Sequence, residues 1–222
     1  MSAGGRAAPR DPGALAVLRR RAAAPAPVAA APGEQCELCA TEVAAEHRHV
    51  VDLERRTILC ACRPCWLLFP EGVKTRYRAV PERHLFFPGF ALPGPQWDAL
   101  EIPVGLAFFF HSSPTDRVVA LYPGPAGATE SELPLAAWDD VVAGNPQLGQ
   151  ARSDVEALFV TALSGAVPRC WLVPIDRCYE LVGRLRQVWR GFDGGAEARA
   201  VLADFTDDVA ARSRPAERGS AR

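Results

Sequence analysis

Two C-x-x-C pairs constrain this chain more than any other feature: CELC at 36–39 and CRPC at 62–65. A C-x-x-C bend carries two sulfurs to one side of the backbone. Residues 40–61 read as an excursion that returns a second pair to the first. Four thiolates at ~2.3 Å are the tetrahedral set that zinc favours. A unit of about 45 residues has little core of its own, and metal binding supplies folding free energy on the order of 10 kcal/mol or more. The spacing therefore points to Cys36, Cys39, Cys62 and Cys65 as ligands of a structural Zn2+. The competing reading is buried free thiols acting as small hydrophobes. Cys60 complicates the second pair: two residues before Cys62 on what reads as one strand face, it is an alternative ligand. His47 and His49 also share a face and are further candidates for the same sphere.

Iron is the alternative metal. Rubredoxin-type sites use two C-x-x-C turns, and five thiolates can hold an iron–sulfur cluster. Glycines typically follow the second cysteine of each rubredoxin turn, whereas Ala40 and Trp66 stand there here. That departure favours structural zinc over a redox iron.

Around this pattern, 34–78 reads as a zinc-ribbon-like module built on a β-hairpin, HVVDLERRTILCAC, with its turn at 54–57. Residues 1–33 are rich in Ala, Pro and Gly and read as a disordered tail. A short helix over 12–21 would be marginal by itself. Residues 79–211 read as the main domain. Strands are expected at 104–113, 117–122, 154–165 and 169–175, and helices at 134–143, 176–191 and 195–211. Asp176 is placed to cap the second of these helices and Gly191 to end it. Residues 212–222 read as a basic disordered tail. Strands in succession followed by helices give an α+β class, an antiparallel sheet with helices packed on one side.

Charge narrows the partners. Residues 1–31 hold five Arg and one Asp and residues 212–222 four Arg and one Glu, leaving −8 between them. The module itself, over 32–78, balances seven basic against seven acidic residues. Phosphate binding needs a basic surface, so a nucleic-acid-binding regulator is the weakest reading. No apolar run approaches the ~20 residues of a membrane span. The start has no h-region of a signal peptide, so a cytoplasmic protein is expected, with its seven cysteines as metal ligands or free thiols.

Nothing assembles an acid, a base and a nucleophile. His111, Ser112 and Ser113 read as a strand exit, and no G-x-S-x-G is present. YPGPAGATESE (122–132) reads as a proline-stiffened loop without the lysine of a phosphate loop. Cys170 and Cys178 flank PID, and Cys178 lies on the apolar stripe of its helix.

Beyond the run CELC…HRHVVDLERRTILCACRPCWLLF, the stretches IPVGLAFFF, YPGPAGATESEL, DVEALFV and PIDRCYELVGRLRQVWRGFDGG complete a resemblance. The chain resembles an actinobacterial domain family of unknown function whose genes lie near those of nickel–iron uptake hydrogenases. The resemblance implies an accessory or assembly role for such a hydrogenase, exercised by binding its subunits or maturation factors. It carries over no catalytic residues. The hairpin tip at Arg55 and Arg56 and the YPGP loop are the candidate contact surfaces. An iron-bearing electron carrier for the hydrogenase is the alternative role, and metal delivery would require a labile site.

Overall fold

The runs LAFFF, ALFV and CWLV place apolar side chains on both faces of a strand, and such strands must be covered on both sides. In the computed structural model they are the centre of a seven-stranded sheet. Residues 33–73, 75–124, 127–131, 135–162, 165–191 and 194–217 are described. The expected tail at 1–33, apart from Gly33, and the helix considered at 12–21 lie outside them.

A three-stranded sheet comes first. Strands β1 (Arg48–Asp52) and β2 (Thr57–Ala61) form the hairpin, with Asp52 opposite Thr57, so the turn is 53–56. Arg56 closes it at φ 54°. A short helix, α1 (Arg63–Trp66), follows. Strand β3 (Tyr77–Ala79) then pairs with the free edge of β1, so this unit runs past residue 78.

The large sheet has the order β10-β4-β9-β8-β5-β6-β7. Its strands are β4 (Leu85–Phe86), β5 (Leu106–Ser112), β6 (Arg117–Gly124), β7 (Gly127–Ser131), β8 (Glu156–Thr161), β9 (Arg169–Pro174) and β10 (Arg214–Pro215). Every pairing is antiparallel except β10 with β4. Helices α2 (Gly94–Ala99) and α3 (Leu135–Gly144) cover one face. Helices α4 (Ile175–Val188) and α5 (Gly195–Arg212) cover the other.

The class is α+β, but the helices are not confined to one side. The alternation within β5 shows why. Phe109 stacks on Trp138 of α3 at 4.0 Å between ring centroids. Its neighbour Phe108 stacks on Phe159 and meets Phe205 of α5 edge-on, at 4.9 and 6.2 Å. Each aromatic buries area worth several kcal/mol, and both sets need a partner layer.

Three further expectations are corrected. Residues 122–124 and 127–131 are strand where a loop was expected, since β6 and β7 pair down to Gly124 opposite Gly127; the rest of the 122–132 stretch lies outside the described residues. Pro123 is tolerated because pairing of β6 with β5 stops at Leu121, so its missing N–H costs no ladder bond on that side. Pro123 and Gly124 are buried and Tyr122 half-buried, so these three residues of YPGP are not the exposed contact surface expected, and Pro125 lies outside the described residues. Residues 212–217 are no tail either: α5 runs to Arg212 and β10 joins the sheet beside β4. Finally, Asp176 does not cap α4. The helix starts at Ile175 after Pro174, and Asp176 sits in its first turn, where a carboxylate suits the helix dipole. The helix ends at Val188, before Gly191. Gly194, at φ 81°, immediately precedes α5, and a Cβ there would lie 2.9 Å from that of Ala198, so only glycine fits.

Asp52 ties the small sheet together. It is 1% exposed. Its Oδ1 accepts N–H bonds from Glu54 and Arg55 at 3.1 Å each, and from Arg76 Nε at 2.9 Å. Hydrogen bonding from the Arg76 guanidinium outweighs burial and holds the carboxyl at about 2. A depressed carboxyl contributes stability that is complete above its unfolded value of ~4 and is lost as pH falls through about 2. Arg76→Met should therefore destabilise the protein at about pH 6 and much less at about pH 2, where Asp52 is already half protonated beside its partner. Urea midpoints of both proteins at the two pH values check this, and an unchanged difference between them contradicts it.

Candidate metal centre

The first cysteine bend is a small hairpin of its own. Gln35 bridges Glu42, and the Val43 N–H donates to the Glu34 carbonyl at 2.9 Å. Ala40 turns the chain at φ 59°. This hairpin is fastened to β2 through one peptide. The Glu37 N–H donates to the Cys60 carbonyl at 2.9 Å, and the Cys60 N–H donates to Glu37 Oε2 at 2.7 Å. The second bend begins where β2 ends. Cys62 is the residue before α1, and Pro64 sits in the helix's first turn, where its missing N–H is harmless. The Trp66 indole N–H donates to the Val80 carbonyl at 2.9 Å and anchors α1 to the chain after β3.

These constraints bring the sulfurs of Cys36, Cys39, Cys62 and Cys65 within 4.8 Å of one another. Cys39 Sγ and Cys62 Sγ are 3.6 Å apart. A tetrahedron with Zn–S bonds of ~2.3 Å has edges of roughly 3.8 Å, so the thiols have room for an ion and are too far apart for a disulfide. Cys36 is buried and Cys39 exposed, so the cluster lies at the surface with one side closed.

The electrostatics fit a cation. The hydroxyl and backbone N–H of Thr41 stabilise the Cys39 thiolate and lower it to about 6. Burial raises Cys36, but backbone N–H groups of Cys62, Leu38 and Cys39 outweigh it and its net shift is downward. The Cys39 and Cys62 sulfurs beside Cys65 push it up to about 12. One thiolate forms readily and the last is opposed by its neighbours. A dication at the centre reverses that opposition, because each thiolate then faces positive charge.

Cys60 stands elsewhere. The chain leaves the strand after Ala61, so Cys60 and Cys62 do not share a strand face as expected. Cys60 lies opposite His49 across the hairpin and groups with His47 and His49, apart from the four-cysteine cluster. At the first bend Ala40 adopts the left-handed conformation without a glycine, so the absence of glycine there does not disfavour iron.

A cleft of about 700 Å³ opens beside the module, lined among others by Arg48, Trp66, Phe69, Arg78, Arg152 and Val155. Its guanidiniums are engaged: Arg48 with Glu82, Arg78 with Asp154 at 2.8 Å and Arg152 with Glu71 at 2.8 Å. The cleft is therefore not a ready anion site. Sequence reasoning missed that His111 Nδ1 meets Ser153 Oγ at 3.0 Å and that its Nε2 lies 3.3 Å from Asp116. The Asp116 carboxylate is 96% exposed, so it lacks the burial by which a triad aspartate orients its imidazole. The contact ties the β5–β6 turn to the segment before β8. Cys170 and Cys178 are fully buried, and burial raises both thiols well above their ordinary value. Among the described residues no helix is long and apolar enough to cross a membrane.

Comparison with curated proteins and with solved structures gives no match. The family profile described as "Family of unknown function (DUF5947)" matches residues 35–213. That span takes in both cysteine bends and the sheet as far as the end of α5, so the chain belongs to the family of unknown function DUF5947.

Proposed function

We propose that this chain is a non-enzymatic zinc-binding accessory protein that acts by binding other proteins. Four converging sulfurs carry the reading. A four-thiolate set is a closed coordination sphere, with no position left for substrate or water, and such zinc sites serve structure. The ion would hold the 34–43 hairpin and α1 against each other. Directly after Cys65, Leu67 and Leu68 are 56% and 68% exposed, and Val73 is 52% exposed. Large aliphatic side chains held in water beside a cleft suit a protein contact. Arg55 at the hairpin tip, 74% exposed on its side chain, extends the surface. The partner we propose follows the sequence resemblance: a subunit or maturation factor of a nickel–iron hydrogenase, met in the cytoplasm.

Affinity capture of the full-length chain from cells making that hydrogenase tests the reading. Recovery of hydrogenase subunits or maturation proteins is expected, and Leu67→Asp with Leu68→Asp should reduce it at least about tenfold by placing unpaired charge in the interface. Capture that yields neither class of protein counts against the partner. The left-handed Ala40 keeps a second reading in play, an iron-bearing electron carrier. Iron at one per chain, with a colour that bleaches reversibly on reduction, would select it.

A further inference from the structure

We infer a second transition-metal site, separate from the four-cysteine cluster, formed by His47, His49 and Cys60. Each offers one donor atom, and the three atoms lie within 4.8 Å of one another. In a zinc site, bonds of ~2.0–2.1 Å to nitrogen and ~2.3 Å to sulfur place neighbouring donors roughly 3.3–3.7 Å apart, so closure needs side-chain shifts of at most about an ångström each.

The hydrogen bonds prepare the histidines. His47 Nδ1 lies 2.9 Å from the Ala44 carbonyl, which can only accept, so the proton is on Nδ1. Its side chain is 8% exposed, and its Nε2 is buried with no hydrogen-bond partner. A buried ring nitrogen without a partner costs free energy unless something binds it. His49 Nδ1 lies 2.8 Å from Asp176 Oδ2. The Nδ1–H donates to the carboxylate, which leaves the lone pair on Nε2, the arrangement found behind metal-bound imidazoles. The two rings sit 4.7 Å apart between centroids, and Cys60 faces His49 across the β1–β2 ladder.

Two imidazoles and a thiolate suit a divalent ion of borderline softness, zinc foremost. Three protein ligands leave the fourth position to water, so this ion is exchangeable where the four-thiolate ion is retained. The site also joins the two sheets, because Asp176 lies in the first turn of α4, which packs on the large one. Asp176 is a positioning residue: it orients His49 and does not itself bind the ion.

The inference is independent of the proposed function, and one experiment separates them. Full-length protein is loaded with Zn2+, desalted and weighed by native mass spectrometry. The wild type should hold two zinc ions per chain, and Cys60→Ala and His47→Gln one each. Asp176→Ala should keep both sites but weaken the second by about 10–100-fold in competition with a chromophoric chelator. A wild type that holds a single zinc, lost on Cys62→Ser, overturns the second site and leaves the four-cysteine reading standing. Two zinc ions persisting in both Cys60→Ala and His47→Gln overturn it as well.

Discussion

Cys62→Ser should release one metal ion per chain and unfold the cysteine-bearing segments while the large sheet stays folded. The core of the small unit explains the size of the effect. Its fully buried residues are Cys36, Val50 and Ala61, with Leu38, Trp66, Phe69 and Tyr77 partly covered around them. Burial of a valine-sized side chain contributes ~1.5–3 kcal/mol, against ~10–16 kcal/mol for a structural zinc. The metal is therefore the dominant stabilising element of the 34–43 hairpin and of α1. The β1–β2 ladder has independent support, since Val51, Leu53 and Ile58 pack into the core beneath α4 and α5. Amide hydrogen exchange should thus accelerate across 34–43 and 62–69 and remain slow across β8 and β9. Treating the wild type with a strong chelator should give the same map. Unchanged protection at 34–43 in a metal-free protein would sink the idea that the ion organises this lobe.

The second large effect lies far from the cysteines. Glu156 is 0% exposed at the start of β8, the central strand of the large sheet. Its oxygens accept bonds from Arg83 Nε at 2.9 Å, from Arg83 Nη2 at 2.7 Å and from the Arg152 N–H at 2.9 Å. Arg83 Nη2 also donates to the Gln150 carbonyl at 2.8 Å. Arg83→Met leaves a buried carboxylate without its cation and should cost about 3–5 kcal/mol. Adding Glu156→Leu to that variant should recover most of the loss, because a buried pair replaced by apolar side chains of similar volume is close to neutral. Urea unfolding of the single and double variants measures both. A double variant no more stable than Arg83→Met would show that the pair is not the source of the effect.

How much of this was legible beforehand follows from the range over which each signal acts. Cys36, Cys39, Cys62 and Cys65 stand out because C-x-x-C is a local bend whose geometry is set by its own few residues. The apolar runs of β5, β8 and β9 and the stripe Cys178, Leu181, Leu185 on α4 are equally local, and the α+β class follows from them. The same apolar runs already carried the two-sided burial that puts helices on both faces, but that needs the strand period to be read against both faces at once. Strands β3, β4 and β10, of two or three residues, are too short to show any period. They exist because a neighbouring edge offers unpaired N–H and C=O groups.

Local spacing alone therefore determined the two cysteine bends, the central strands and the long helices. Tertiary structure decided that Cys60 turns towards His47 and His49, that Asp176 reaches back 127 residues to His49, and that Arg76, Arg78 and Arg83 each find a buried carboxylate. Those are pairings between groups distant along the chain. No periodicity encodes them, because each pairing is selected only when folding takes a polar group out of water and brings a partner from a distant segment within reach.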